Sequence, residues 1–121
     1  MVVGLGIDIV EIARIEAAMR HPRFLERILT PVEIEFCTTP AKVAGRWAAK
    51  EAIAKAVGLH LSWQDVEVLP DEMGLPVARV SSHHFDPNRL RLKISISHER
   101  SNAVAVAILE RVVIHAPGSL M

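Results

Sequence analysis

The sequence predicts an α+β domain in which helices pack on one side of an antiparallel sheet of three to five strands. Three observations predict it: an alternating, β-branched segment at the start, an Ala-, Lys- and Glu-rich helical segment in the middle, and later strands joined by tight turns. Helices and strands are grouped rather than strictly alternating, which is typical of α+β domains. At 121 residues the chain is expected to form a single domain, residues 1–121, with residues 114–121 as a frayed tail.

The first predicted strand runs from Val2 to Val10, and its two faces differ in chemistry. One face is apolar, and the other carries Gly4, Gly6 and Asp8. We expect the two glycines to leave open space in front of the carboxylate, since glycine within a strand often marks close approach by a backbone or a ligand. Asp8 has two interpretations at this point: a helix-capping acid at the strand's end or a ligand-binding carboxylate.

Helical segments are predicted next, over Glu11–Arg20 and Arg23–Leu29, and a third begins after Thr30 with a capping box. The first two carry several arginines, largely offset by acidic residues. They form either a solvated mixed-charge surface or a docking patch for an acidic protein, with apolar anchors between the arginines. The residues of this candidate docking patch are Arg14, Met19, Arg23, Phe24 and Arg27.

The central helix is predicted over Gly45–Gly58, preceded by a loop over Thr38–Ala41. Six residues form one apolar face: Ala48, Ala49, Ala52, Ile53, Ala56 and Val57. On the opposite face we expect Arg46, Trp47, Lys50, Glu51 and Lys55. One interpretation is an exposed i,i+4 ion pair between Glu51 and Lys55. The other is a site for a metal and a phosphorylated ligand, with one carboxylate among three cations and partly covered by the indole.

Four further strands are predicted over Asp65–Leu69, Pro76–Val80, Leu92–His98 and Ala103–Leu109. His98 ends the third of these and is either a satisfied structural histidine or a ligand-binding one. The last strand has no polar residue on either face, whereas a lone antiparallel sheet usually has one polar face. Both faces are therefore expected to be covered, one of them by a neighbouring subunit in a closed ring.

Composition excludes several classes of protein. The formal net charge is zero, with 14 basic and 14 acidic residues, so a general nucleic-acid binder is not expected. The lone Cys37 cannot form an internal disulfide, which is typical of a reducing cytosol. No signal peptide and no membrane span are visible in the sequence. These features predict a cytoplasmic protein.

Three stretches together resemble the holo-acyl-carrier-protein synthases, the small stand-alone phosphopantetheinyl transferases. They are Gly4–Val10 (GLGIDIV), Arg46–Ala52 (RWAAKEA) with Lys55 and Ala56, and Ile94–His98 (ISISH). The resemblance covers about residues 2–110 and implies the same fold. It also implies transfer of phosphopantetheine from coenzyme A to a serine of apo acyl carrier protein, releasing adenosine 3',5'-bisphosphate.

The resemblance implies a role for each site residue. Asp8 and Glu51 would hold Mg²⁺ on the coenzyme A pyrophosphate, and Lys55 would contact phosphate or take part in catalysis. Arg46 and His98 match positions that bind the nucleotide part, and Lys50 is expected to contact coenzyme A as well. The serine proton would pass to Glu51 or to a metal-bound water. The implied assembly is a homotrimer with active sites between adjacent subunits.

Two loops depart from the family pattern. The loop before the central helix, Thr38–Val43, is shorter than is common, and Gly58-Leu59-His60 replaces a glycine-rich turn. Coenzyme A contacts from these loops are therefore not predicted. An alternative function also stays open, namely a non-catalytic coenzyme A or nucleotide-binding module on the same scaffold.

Overall fold

The computed structural model describes residues 1–113 and places one long helix across a three-stranded sheet. The strands are β1 (Val2–Glu11), β2 (Val66–Pro70), β3 (Pro76–Val80), β4 (Leu90–His98) and β5 (Asn102–Arg111). The helices are α1 (Ile12–Ala18), α2 (Phe24–Ile28), α3 (Pro31–Phe36) and α4 (Pro40–Val57), and a 3-10 turn, Trp63–Asp65, precedes β2. This confirms the α+β prediction. The predicted frayed tail lies outside the described residues. Within residues 1–113, no helix is long and apolar enough to cross a lipid bilayer.

The main sheet has the strand order β1-β5-β4, and both outer strands are antiparallel to β5. β2 and β3 form a separate antiparallel hairpin. The inner face of β5 consists of small residues that are fully buried beneath α4, namely Ala103, Ala105 and Ala107. Small side chains on both the strand and the helix let the two elements approach closely, and this confirms the helical layer on one side.

The outer face of the main sheet is apolar and open in the single chain. On β1, Leu5, Ile7 and Ile9 are 65%, 62% and 66% exposed. They lie in register with apolar residues of the central strand: Ile108, Val106 and Val104, respectively. We call these six residues the outer apolar face. The expectation that both faces of the sheet are covered is therefore not met within one chain.

Helix α4 begins five residues earlier than predicted. Thr39 is its N-cap, with a side-chain oxygen that accepts from the Lys42 backbone N–H at 3.3 Å, and Pro40 occupies the first helical position. The predicted loop through Ala41 is wrong because this Thr-Pro pair is itself a helix-start signal. The predicted end is confirmed: Gly58 has φ +73°, a left-handed conformation that glycine adopts without a steric penalty.

Candidate active site

The strand that carries Asp8 lies unusually close to α4. A Cβ added at Gly6 would lie 1.9 Å from the carbonyl oxygen of Ala52, and one added at Gly4 would lie 2.0 Å from that of Ala56. The expectation of open space at these glycines is wrong, because the helix backbone fills it. Of the two expected uses of glycine in a strand, the structure shows close approach by a backbone.

Asp8 follows Gly6 by two residues on the same face of β1, and it lies beside Lys55 of α4. The Lys55 ammonium donates to the carbonyl oxygen of Ile7 at 2.9 Å and lies 3.4 Å from Asp8 Oδ1. The side chains of Lys55 and Asp8 are 54% and 18% exposed, so water screens this long ion pair. Asp8 does not cap a helix: the N-cap of α1 is Glu11, which makes no side-chain capping bond. The capping interpretation of Asp8 is therefore wrong.

Glu51 lies one helical turn before Lys55 and is half-buried. It borders a crevice of about 40 Å³ together with Ser62 and Trp63. Within residues 1–113 its carboxylate forms no ion pair, so the expected Glu51–Lys55 pair is absent there and Lys55 is directed to Asp8 instead. Residues four apart share a helix face, so Glu51 lies on the same side of α4 as Lys55, the lysine that contacts Asp8.

These two carboxylates fit a magnesium ion better than a metal held by protein alone. The described part of the chain contains no cluster of three or more His, Cys, Asp or Glu side chains able to hold a metal. Mg²⁺ is typically bound by one or two carboxylates, several waters and substrate phosphates. Asp8 and Glu51, with Lys55 beside them, match that donor set for a diphosphate substrate.

Lys50 does not lie on the polar face of α4, and this prediction is wrong. Its ammonium is buried, and it donates to Glu33 Oε1 at 2.6 Å and to the carbonyl oxygens of Ile28 and Trp63 at 2.8 and 3.0 Å. Burial lowers the pKa of Lys50, and the hydrogen bond and charge of Glu33 oppose that shift. With three protein acceptors, this ammonium has no donor left for a phosphate.

Trp47 belongs to an aromatic stack that includes Trp63, one of the residues that border the Glu51 crevice. Its ring lies between two other aromatic rings, with centroid distances of 6.0 Å to Phe24 and 4.6 Å to Trp63. The stack joins α2, α4 and the turn before β2. This stack explains why an indole lies on the polar side of the helix, because contacts with other aromatic rings stabilise a large ring.

The two predicted nucleotide contacts, Arg46 and His98, form no hydrogen bond with Asp8 or Lys55 within residues 1–113. Arg46 is half-buried in α4, and its Nε is shielded from solvent without a hydrogen-bond partner among residues 1–113. His98 is exposed at the end of β4 and borders a cavity of about 420 Å³ with Ile9 and Asn102. The interpretation of His98 as a satisfied structural histidine is wrong, because its exposed side chain forms no hydrogen bond within residues 1–113. Both side chains offer polar atoms to a ligand.

The candidate docking patch lies on α1, α2 and the segment between them. Its three arginines, Arg14, Arg23 and Arg27, are exposed, and none forms an ion pair within residues 1–113. Met19 and Phe24 are half-buried between them. Exposed arginines without ion pairs in the described part of the chain fit both a solvated mixed-charge surface and a docking patch, so both interpretations stay open.

Sequence reasoning missed the long-range contacts of two residues that connect the elements packed around α4. Glu33 was predicted only as a capping-box acid, which is confirmed, yet its carboxylate also accepts from Lys50 and from the Val68 backbone N–H. Gln64 was not predicted at all, although its amide donates to the carbonyl oxygens of Glu26 and Leu29. An acid in a capping box gives no sequence signal of a second, long-range partner.

Comparisons with known proteins agree with this geometry. The family model of the 4'-phosphopantetheinyl transferase superfamily matches residues 4–109. The holo-[acyl-carrier-protein] synthase of Exiguobacterium sp. is 44% identical over 120 residues, covering 91% of this chain and 93% of that relative. The corresponding synthase of Halalkalibacterium halodurans is 45% identical over 122 residues, covering 92% and 98%.

Solved structures are similar as well. The holo-[acyl-carrier-protein] synthase of Helicobacter pylori, in complex with coenzyme A, has a TM-score of 0.82 at 36% identity and covers 88% of this chain and 99% of its own. The synthase from Bacillus anthracis, in complex with CoA (3',5'-ADP), has a TM-score of 0.78 at 39% identity, with 90% and 96% covered. The range matched by the family model, residues 4–109, includes α4, β4 and most of β1 and β5, the elements that carry the candidate active site.

Proposed function

This chain belongs to the 4'-phosphopantetheinyl transferase superfamily, and we propose that Asp8 and Glu51 hold the divalent cation at which its reaction takes place. The chain is a holo-[acyl-carrier-protein] synthase: it transfers the 4'-phosphopantetheine group of coenzyme A to a serine of apo acyl carrier protein. The observation that carries the proposed site is the position of Lys55, whose ammonium lies 3.4 Å from Asp8 Oδ1 of β1 and which follows Glu51 by one turn of α4.

The reaction exchanges one phosphorus–oxygen bond for another. The serine oxygen bonds to the phosphorus that carries the pantetheine arm, the bond from that phosphorus to the bridging oxygen breaks, and adenosine 3',5'-bisphosphate leaves with the bond's electron pair. Charge develops on the phosphoryl and leaving oxygens, so the protein's task is positioning and electrostatic stabilisation. A bound Mg²⁺ would supply positive charge to those oxygens.

Lys55 is the residue of the chain best placed to supply further positive charge. Its ammonium is exposed and held only by one carbonyl oxygen and a long contact to Asp8. It can therefore exchange Asp8 for a phosphate oxygen at little cost. Glu51, which has no ion-pair partner within residues 1–113, offers a carboxylate oxygen for the serine proton. Arg46 and His98 are assigned to the nucleotide part of coenzyme A, and Lys50 is not, because its donors are all occupied.

The carrier protein is assigned to the docking patch. Exposed arginines without acidic partners in the described chain attract an acidic surface, and the half-buried Met19 and Phe24 provide apolar contacts between them. Phe24 also stacks on Trp47 of α4. The patch is therefore packed directly against the helix that carries Glu51, which suits a reaction between two large substrates.

A homotrimer is part of the proposal, and the outer apolar face supports it. A contiguous apolar patch of this kind is unusual on a surface that contacts only water. Its β1 residues, Leu5, Ile7 and Ile9, are 65%, 62% and 66% exposed. Asp8 extends from the same strand, so a neighbour seated there lies beside the active site.

Light scattering should give a mass of three times 13.3 kDa. Val106→Glu should dissociate the assembly and abolish transfer, because it buries an unpaired charge. A fully active wild-type monomer would contradict this part of the proposal.

The central experiment is mass spectrometry of apo acyl carrier protein incubated with the enzyme, coenzyme A and Mg²⁺. The mass of the carrier protein should increase by one phosphopantetheine group. EDTA should abolish this increase, and excess Mg²⁺ should restore it. A carrier protein of unchanged mass, with coenzyme A still bound by the chain, would instead identify a non-catalytic binding module. Transfer that is unaffected by EDTA would refute the metal assignment alone.

A further inference from the structure

The strand β1 and the helix α4 lie against each other in matching steps. Gly4 and Gly6 are separated by two strand residues, roughly 6.6 Å. The carbonyl groups they face, of Ala56 and Ala52, are separated by four helix residues, about 6 Å. The next step along the strand brings Asp8 level with the preceding helical turn, which carries Glu51. The contact at Gly6 is therefore the one nearest to the two carboxylates.

We infer that Gly6 is a positioning residue for the metal site, because its missing side chain sets the distance between β1 and α4 at which Asp8 and Glu51 reach the same divalent cation. This inference rests on the proposed function. Gly4 makes an equally close contact one helical turn further from Glu51. It therefore contributes to the packing of the strand without setting the spacing at the carboxylates.

The size of the clash shows why this position matters. A Cβ at Gly6 would also lie 2.8 Å from the carbonyl carbon of Ala52 and 2.9 Å from the Ala56 nitrogen, so its obstacles are backbone atoms that cannot rotate away. Relieving the contact at 1.9 Å requires the two backbones to separate by on the order of 1 Å. Metal–ligand distances tolerate only about 0.2 Å, and Mg²⁺ demands near-octahedral geometry. A separation of this size would prevent simultaneous ligation.

The experiment compares Gly6→Ala with Gly4→Ala as its matched control. Binding of Mn²⁺, a paramagnetic substitute for Mg²⁺, is measured by electron paramagnetic resonance in the presence of coenzyme A, and stability by urea unfolding. Both variants should lose similar stability, because both create a clash of about 2 Å with a carbonyl oxygen. Gly6→Ala should weaken Mn²⁺ binding by about tenfold or more, and Gly4→Ala by less than about threefold. Equal weakening in the two variants would overturn the inference.

A rescue variant separates spacing from general loosening. In Gly6→Ala/Asp8→Glu the longer side chain adds one methylene across the widened gap, so Mn²⁺ affinity should recover while the loss of stability remains. If Gly6→Ala does not fold, the same claim is tested by Asp8→Glu, by Glu51→Asp and by their combination. If the spacing is fixed, each single change weakens Mn²⁺ binding, because one carboxylate becomes too long or too short by one methylene. The double change keeps the combined length of the two side chains and therefore recovers binding. A double variant no better than the two single variants would refute a fixed spacing.

Asp8→Asn distinguishes a failure of this inference from a failure of the proposed function. The amide has the same shape but no charge, so Mn²⁺ binding should be lost. If Asp8→Asn binds Mn²⁺ as tightly as the wild type, the metal assignment itself is wrong. If Asp8→Asn loses the ion and the glycine variants do not differ, only the positioning role of Gly6 is wrong.

Discussion

Two lysines of helix α4, five residues apart, each pair with a carboxylate from another element, and the two pairs differ in distance and in exposure. Lys50 and Glu33 are 2.6 Å apart with side chains 2% and 0% exposed, whereas Lys55 and Asp8 are 3.4 Å apart and 54% and 18% exposed. The same two types of charge thus occur once in the protein interior and once at its surface. The difference separates a pair that is enclosed by protein from a pair that a ligand can reach.

The buried pair is satisfied entirely by protein. Lys50 donates to Ile28 in α2, Glu33 in α3 and Trp63 in the turn before β2. Besides Lys50, the Glu33 carboxylate accepts from the backbone N–H groups of Thr30, the N-cap of α3, and of Val68 in β2. Such a pair is costly to break because the remaining charge cannot reach water. The exposed pair is held loosely and loses little when either partner changes. Its groups are therefore available for a cation and a phosphate, which a fully satisfied pair cannot bind.

The largest expected effect comes from breaking the buried pair. Lys50→Met should lower the free energy of unfolding by about 3–5 kcal/mol, because it leaves the Glu33 carboxylate buried without a counter-charge. Urea unfolding measures this. The matched control is Lys55→Met, the same change at the exposed pair, which should alter the free energy of unfolding by less than about 1 kcal/mol. Similar losses in the two variants would show that the pairs do not differ as described.

The next largest effect concerns activity rather than stability. Asp8→Asn and Glu51→Gln should each reduce the rate of transfer by about 100-fold, because each removes charge from the site where the diphosphate is held. Their free energy of unfolding should stay within about 1 kcal/mol of the wild type. The measurement is transfer at limiting Mg²⁺ beside urea unfolding of the same samples. Near-normal turnover in either variant would remove that residue from the proposed metal site.

The smallest expected effect belongs to a third kind of charge, the exposed arginines of the docking patch. Arg14→Glu or Arg23→Glu should weaken binding of the carrier protein roughly tenfold and leave coenzyme A affinity unchanged, because these charges act on the partner's surface. The loss should shrink at high salt, where long-range attraction is screened. Arg89→Glu, in the loop before β4, is the control. A variant that weakened both substrates equally would show that the patch is not a separate docking surface.

The sequence was sufficient for the class of fold, the strand and helix order and the family. Alternation of apolar residues predicted β1 and β5, the capping box predicted the start of α3, and Gly58 predicted the end of α4. These features depend on local periodicity and on local backbone chemistry, which adjacent residues determine. The roles of the site residues, the bound Mg²⁺, the trimer and the cytoplasmic location stay predictions.

Helical spacing alone could not separate Lys50 from Lys55. Both lie on the predicted polar side of α4, and only the packing of α2, α3 and the turn before β2 around Lys50 makes one of them an interior residue. In the same way, two glycines in a strand fit either an open pocket or a close backbone. The carbonyl groups of Ala52 and Ala56 occupy the space in front of the glycines, so the structure shows a close backbone. The partners of these residues are distant in the chain and have no fixed spacing from them, so burial and pairing follow only from the tertiary structure.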